Sequence, residues 1–176
     1  MGAKDQGANE TEGRWLVIPR TLSFVFHGED VLLMKRAAHK RIFPNRYNGL
    51  GGHIERDEDV WNSARREIEE ESGLKVHQLR LRGIHQVDAG AVTGILLFIF
   101  TAQSDTRDVT DSAEGTLEWV HPDELPTLDL VEDVAEVLSK LRATSEAAPP
   151  WYAHVRYDAG DQVVLRYADP AQANDE

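Results

Sequence analysis

Three carboxylates, Glu67, Glu70 and Glu71, are close enough in sequence to act together. On a helix they stand at i, i+3 and i+4, on one face and within about one turn. Like charges at that spacing repel and weaken the helix. Water and salt on an exposed face would relieve the repulsion, and so would divalent cations seated among the oxygens. The surrounding residues bear on this choice. Gly49-Leu50-Gly51-Gly52 comes just before and can bring backbone carbonyls near a cation as hard oxygen ligands. An all-oxygen site with open positions suits Mg²⁺ or Mn²⁺. Arg66 adjoins Glu67, where its guanidinium could hold a carboxylate in place.

These groups meet only if the flanking elements position them. The apolar positions Val60, Trp61, Ala64 and Ile68 predict an amphipathic helix over 59–72, and Gly73 stands where a glycine would end it. Residues 21–26 and 31–35 flank His27-Gly28-Glu29-Asp30 and read as a hairpin. A basic, turn-rich loop follows over 36–47. Residues 79–87, 91–102 and 116–120 read as strands, the second buried on both faces. A second amphipathic helix is expected over 130–142, with Val131, Val134, Val137, Leu138 and Leu141 as its stripe. Ala147-Ala148-Pro149-Pro150 leads to a last hairpin, 152–157 and 162–167. There is no internal repeat. Strands mixed with two helices imply an α+β or α/β sandwich. One domain is expected over 14–169, between a disordered polar segment, 1–13, and a polar tail, 170–176.

The segment 52–74 resembles the Nudix box, G-x5-E-x7-R-E-U-x-E-E-x-G-U, where U is a bulky aliphatic. Gly52, Glu58, Arg66, Glu67, Ile68, Glu70, Glu71, Gly73 and Leu74 occupy every specified position. A chance match to the fixed letters is on the order of one in 10⁸ per start position. The resemblance implies an α/β/α sandwich, a mixed sheet between helices, with the box as a strand-loop-helix unit at the active site. It implies that Glu67, Glu70 and Glu71 ligate Mg²⁺, with Mn²⁺ as an alternative, and that one of them doubles as general base. Glu58 and Arg66 become supporting residues, and the Gly51 or Gly52 carbonyl an extra ligand. A further acidic ligand often lies outside the box, and Glu114 is the candidate. The reaction implied is hydrolysis of a diphosphate linkage.

Flanking residues point to a substrate. Arg46-Tyr47-Asn48-Gly49-Leu50-Gly51-Gly52 resembles the R-[WY]-N-G-[FL]-G-G run of the 8-oxo-dGTP and oxidised-purine triphosphate diphosphatases, and residues 33–36 and the last hairpin are similar to that group. The resemblance implies that Asn48 and the pair Glu132-Asp133 hold a purine. The group has Trp-Pro before its acidic pair; this chain has Leu130-Val131, so an aromatic wall is missing or comes from elsewhere. Plainer readings stand beside these: Asn48 before Gly49 suits a turn, and Glu132-Asp133 suits a helix's first turn. Lys35, Arg36, Lys40, Arg41 and Arg46 form a basic rim for phosphates, with Lys35 as a substrate contact, or are plain surface charge. His53 falls at an unspecified box position, and the four tryptophans read as core.

Composition sets the outer bounds. At 176 residues, 41% hydrophobic and 28% charged, the chain fits one globular domain. The absence of cysteine excludes disulfides, thiolate metal sites and cysteine nucleophiles. A net charge of −12 argues against binding long nucleic acid, though carboxylates can still hold a polyphosphate through divalent cations. The first residues lack the apolar stretch of a signal peptide, and no apolar run could span a bilayer. A cytoplasmic enzyme on a small nucleotide is therefore expected, as monomer or homodimer. Three rivals are another Nudix substrate (ADP-ribose, a pyrimidine or pterin triphosphate, capped RNA), a silent ligand sensor, and an isoprenyl diphosphate isomerase. The intact carboxylate triad counts against the second, and the missing cysteine against the third.

Overall fold

A strand made only of apolar residues must be covered on both faces. Val31 and Leu33 enter one apolar cluster while Leu32 and Met34 enter another. The computed structural model, which describes residues 7–8 and 11–168, places a single sheet between the two clusters. Its strands are β1 (Leu16–His27), β2 (Asp30–Arg36), β3 (Tyr47–Asn48), β4 (His77–Asp88), β5 (Thr93–Gln103), β6 (Gly115–Val120), β7 (Trp151–Tyr157) and β8 (Val163–Tyr167). The order is β3-β2-β1-β5-β4-β7-β8, with β6 paired to β2. β1 is parallel to β5 and β4 to β7; the remaining pairs are antiparallel.

One helix covers each face. α1 (Val60–Ser72) sends Ile68 among Val25, Leu32 and Leu50. On the other side α2 (Val134–Ala143) packs Val134, Val137, Leu138 and Leu141 against Leu22, Phe24 and Leu33. This is the α/β/α sandwich that the resemblance implied, the α+β alternative of the two that the order of elements left open. Among the described residues no helix is long and apolar enough to cross a membrane.

α1 begins and ends where its residues dictate. The Asp59 carboxylate accepts from the backbone N–H groups of Trp61 and Asn62, both at 2.9 Å. Gly73 adopts φ 74° and its N–H reaches the Glu69 carbonyl at 2.8 Å. The buried stripe is Ala64, Ile68 and Glu71, at i, i+4 and i+7. Trp61, expected on that stripe, lies 44% exposed with the Arg65 guanidinium over its ring. Trp15 is likewise 44% exposed.

α2 starts later than its apolar periodicity predicts. The Tyr47 N–H donates to the Asp129 carbonyl, and the Val131 N–H to the Tyr47 carbonyl, both at 2.9 Å. A backbone engaged sideways with β3 cannot also be helical, so 130–131 run beside β3 and 132–133 turn into the helix, while Val131 keeps its place in the core. β5 is continuously buried only from Ile99 to Ala102, in its second half. The expected tail 170–176 lies outside the described residues, as do 1–6 and 9–10 of the expected leading segment.

Candidate active site

The glycine loop lies along β1. Leu50 and Ser23 exchange backbone hydrogen bonds, and the Thr21 N–H donates to the Gly52 carbonyl at 2.9 Å. Close approach at Gly51 and Gly52 shapes the site. A Cβ on Gly51 would stand 2.2 Å from the Thr21 carbonyl oxygen, and φ there is 143°. A Cβ on Gly52 would meet the Glu67 carboxylate at 2.5 Å. The loop thus lets helix carboxylates come against bare backbone.

Glu71 is the innermost of them. It is 7% exposed, and its Oε2 accepts from the Gly51 N–H at 2.9 Å. Burial pushes its carboxyl up to about 8, against that bond, with the charges of Glu67 and Glu114 adding to the rise. Glu67 is also raised by burial, although Arg66 opposes the shift. Arg66 organises the outer half. Its Nε and Nη2 hold the two oxygens of Glu58 at 3.0 and 2.6 Å, and its Nη1 reaches Glu67 at 2.9 Å and Glu70 at 3.0 Å. Nη2 also donates to the His53 carbonyl at 3.2 Å. Hydrogen bonds from Arg66 hold the Glu58 carboxyl at about 2.

Glu114 comes to the same place from the loop before β6. Gly51, Gly52, His53, Glu67, Glu71 and Glu114 border one cleft of about 380 Å³, with Glu70 at its exposed rim. In that cleft Glu114 accepts from Lys40 Nζ at 2.5 Å. Among the described residues no three acidic or histidine side chains are gathered as a metal ion would hold them. Each carboxylate is turned instead to a cation or an N–H of the chain. The donor set still fits Mg²⁺ or Mn²⁺: every candidate ligand is a hard oxygen. Buried Glu71, with like charges near it, would be relieved by a divalent cation. The Gly52 carbonyl, though engaged by Thr21, keeps a second lone pair.

A basic groove of about 400 Å³ adjoins this cleft and shares Ser112 and Ala113 with it. Lys35, Arg36 and His39 border it. Of the five residues of the expected basic rim, Lys35 and Arg36 share this groove, with Asp111 also on its border. Arg46 is not in it: its guanidinium binds Glu132 at 2.7 Å, Asp129 at 3.2 Å and the Leu130 carbonyl. Lys35 is exposed, with Nζ 5.5 Å from the Tyr47 ring centroid.

The pairing of Tyr47 with residues 129–131 brings Asn48 and Glu132-Asp133 onto neighbouring stretches of backbone. Their side chains differ in what they leave free. The Asn48 Oδ1 accepts from the Gly49 N–H at 2.9 Å, the turn role. Glu132 is engaged by Arg46. Asp133 precedes α2 yet makes no capping bond, and burial pushes its carboxyl up, with Glu132 adding to the rise. Its charge reaches Tyr157, whose hydroxyl is raised first by burial and then by Glu132 and Asp133. Tyr157 of β7 is thus within electrostatic reach of the acidic pair, while residues 130–131 supply no aromatic ring. Sequence spacing gave no sign of Tyr157, because only the β4–β7 pairing brings it there.

Comparison with known proteins gives the following. A sequence model of the NUDIX domain matches residues 18–141. A mouse oxidized purine nucleoside triphosphate hydrolase is 34% identical over 115 residues, 64% of this chain and 72% of that protein. An NAD-capped RNA hydrolase, NudC, of Pseudomonas syringae is 24% identical over 136 residues, 76% of this chain but 47% of the relative. The crystal structure of a mutator MutT protein from Bacillus halodurans superposes with TM-score 0.70 at 25% identity, covering 88% of this chain and all (100%) of that one.

Proposed function

The chain belongs to the Nudix family of nucleotide phosphoanhydride hydrolases, and from that premise we propose that it converts an oxidised purine nucleoside triphosphate, such as 8-oxo-dGTP, to its monophosphate and pyrophosphate in a Mg²⁺-dependent reaction. Nucleotide-pool sanitation is the corresponding role. The observation that supports the chemistry is the convergence of Glu67, Glu71, Glu114 and Gly52 on one cleft beside a groove bordered by Lys35 and Arg36. Glu67, Glu70, Glu71, Glu114 and the Gly52 carbonyl are the proposed ligands. Mg²⁺, or Mn²⁺ in its place, would neutralise phosphate oxygens and acidify water there. Arg66 is a positioning residue: it fixes Glu58, Glu67 and Glu70 in one fork-shaped network. One triad carboxylate takes the proton of the attacking water as the P–O bond to pyrophosphate breaks. Lys35 and Arg36 offer the phosphate tail its countercharge.

The oxidised base is supported by the mouse relative and by Asp133, whose half-buried carboxylate pairs with no cation among the described residues and makes no helix-capping bond. Normal guanine presents N7 as an acceptor. Oxidation at C8 makes N7 an N–H donor, which a carboxylate accepts. A buried mismatch of this kind discriminates by up to ~10⁴. The test is a panel of nucleoside triphosphates with ADP-ribose and NAD, the last because of the NudC relative. The expected leader in kcat/KM is 8-oxo-dGTP, giving monophosphate and pyrophosphate, with activity abolished by EDTA. NAD or ADP-ribose as the leader, or orthophosphate as first product, refutes the reading.

A further inference from the structure

The α2 face of the sheet carries an aliphatic strip, and beside it an arginine whose Nε–H is buried without a partner among the described residues. Ile18 pairs with Ile95, Ile95 with Val87, Val87 with Val155 and Val155 with Leu165. Laterally paired residues share a face, so these five form a row across β1, β5, β4, β7 and β8. One step along, Arg20 pairs with Leu97 and Leu97 with His85. Leu97 packs against the α2 cluster, which fixes the face. The strip is buried at Val155, 2% exposed, and opens at its β1 end, where Ile18 is 37% exposed.

Arg20 stands at that open end. Its Nε is out of contact with water and has no hydrogen-bond partner. Its guanidinium is drawn down from its ordinary value by burial and by Arg36, a charge of the same sign. Three other arginines, Arg46, Arg66 and Arg107, each pair with carboxylates, in a chain with 31 acidic residues. A guanidinium N–H withdrawn from water without an acceptor costs stability, so the Nε position calls for a ligand that supplies one. That ligand must be flat and apolar enough to lie on the aliphatic strip while presenting an acceptor oxygen at its edge.

We propose that Arg20 is a specificity-determining residue, which donates to an exocyclic carbonyl of the substrate's nucleobase while the base lies on the strip begun by Ile18 and Ile95. The inference rests on the nucleotide reading above but not on the base being oxidised. Guanine-type bases and pyrimidines carry such a carbonyl, and adenine does not. The planar fork of arginine suits a base edge. Asp133, which leads into the helix on the same face, supplies the complementary acceptor.

The test uses the full chain and Arg20→Met, which keeps an unbranched side chain on the strip and removes the fork. Calorimetry would measure dGMP, 8-oxo-dGMP, dAMP, dCMP and dTMP. Imidodiphosphate with Mg²⁺, a phosphate probe without a base, would be measured alongside, with melting temperature as a control. The wild type should bind one carbonyl-bearing monophosphate most tightly. Arg20→Met should weaken that nucleotide at least tenfold, leave imidodiphosphate within twofold, and not lower the melting temperature. A structural arginine would behave oppositely, lowering the melting temperature and sparing base preference. Unchanged nucleotide binding, equal loss on imidodiphosphate, or dAMP as the tightest ligand overturns the proposal. If dCMP or dTMP is the tightest, the oxidised-purine reading fails while Arg20→Met still decides the role of Arg20.

Discussion

A carboxylate withdrawn from water with one hydrogen bond is held by the fold against its own preference. Glu71 is in that state, with its carboxyl at about 8 against an ordinary value of 4.5. Between those two values the metal-free folded chain keeps a proton that the unfolded chain has released. Its stability therefore falls as pH rises through that window and is lowest above it. Glu71→Gln should abolish this slope. With EDTA present it should exceed wild type by on the order of a few kcal/mol at pH 8.5 and by nothing below pH 4.5, as read by urea denaturation. Glu58 behaves with the opposite sign: held at about 2 by Arg66, it adds stability above its ordinary 4.5 that is lost as pH falls toward 2. The same Glu71→Gln protein should be catalytically crippled, because charge has left the proposed metal site while volume has not. Retention of more than about a tenth of wild-type kcat would mean that less than about 1.4 kcal/mol of transition-state stabilisation had gone, and Glu71 would not be a ligand.

The two glycines where the loop meets α1 separate fold from chemistry at the scale of elements. Gly51→Ala would drive a methyl into backbone at a φ that side chains avoid, so it should lower stability by more than ~2 kcal/mol. Gly52→Ala meets only the Glu67 carboxylate, the far end of a side chain. It should keep most of its stability and lose at least tenfold in kcat as Glu67 is displaced. Thermal melts and kinetics on both variants check this, and equal stability loss would show that Gly52 serves the backbone alone. The same region shows what sequence could carry. Asp59 and Gly73 mark the ends of α1 because capping is local chemistry, legible within four residues. The inward turn of Glu71 was legible in principle, since it follows Ala64 and Ile68 at helical spacing. The late start of α2 was not: its apolar stripe continues back to Val131, and only the distant Tyr47 claims that backbone for β3. The Lys40–Glu114 contact joins residues 74 apart in sequence and left no local signal, nor did Arg20 beside the aliphatic strip.

At the scale of the whole molecule the sheet keeps the two sets of proposed site residues on opposite faces. Glu67 and Glu71 belong to α1 on one side; Asp133 leads into α2 on the other. If chemistry belongs to the first side and base reading to the second, the two should be separable by mutation. Asp133→Asn exchanges an acceptor for a group that can donate and touches none of the proposed metal ligands. Its effect should therefore depend on the base. For 8-oxo-dGTP, kcat/KM should fall by about 1–3 kcal/mol, the cost of leaving a buried donor unpaired. Slow turnover of dGTP should change little, because its N7 never donated to Asp133. The Mg²⁺ concentration for half-maximal rate should stay as in wild type. A carboxylate that only balances the α2 dipole would give another pattern, a lower melting temperature and equal losses on both nucleotides. Assaying both nucleotides, the metal dependence and the melting temperature on one variant distinguishes these patterns. Equal loss on 8-oxo-dGTP and dGTP would leave the phosphoanhydride chemistry on the α1 face intact and remove the oxidised purine from the α2 face.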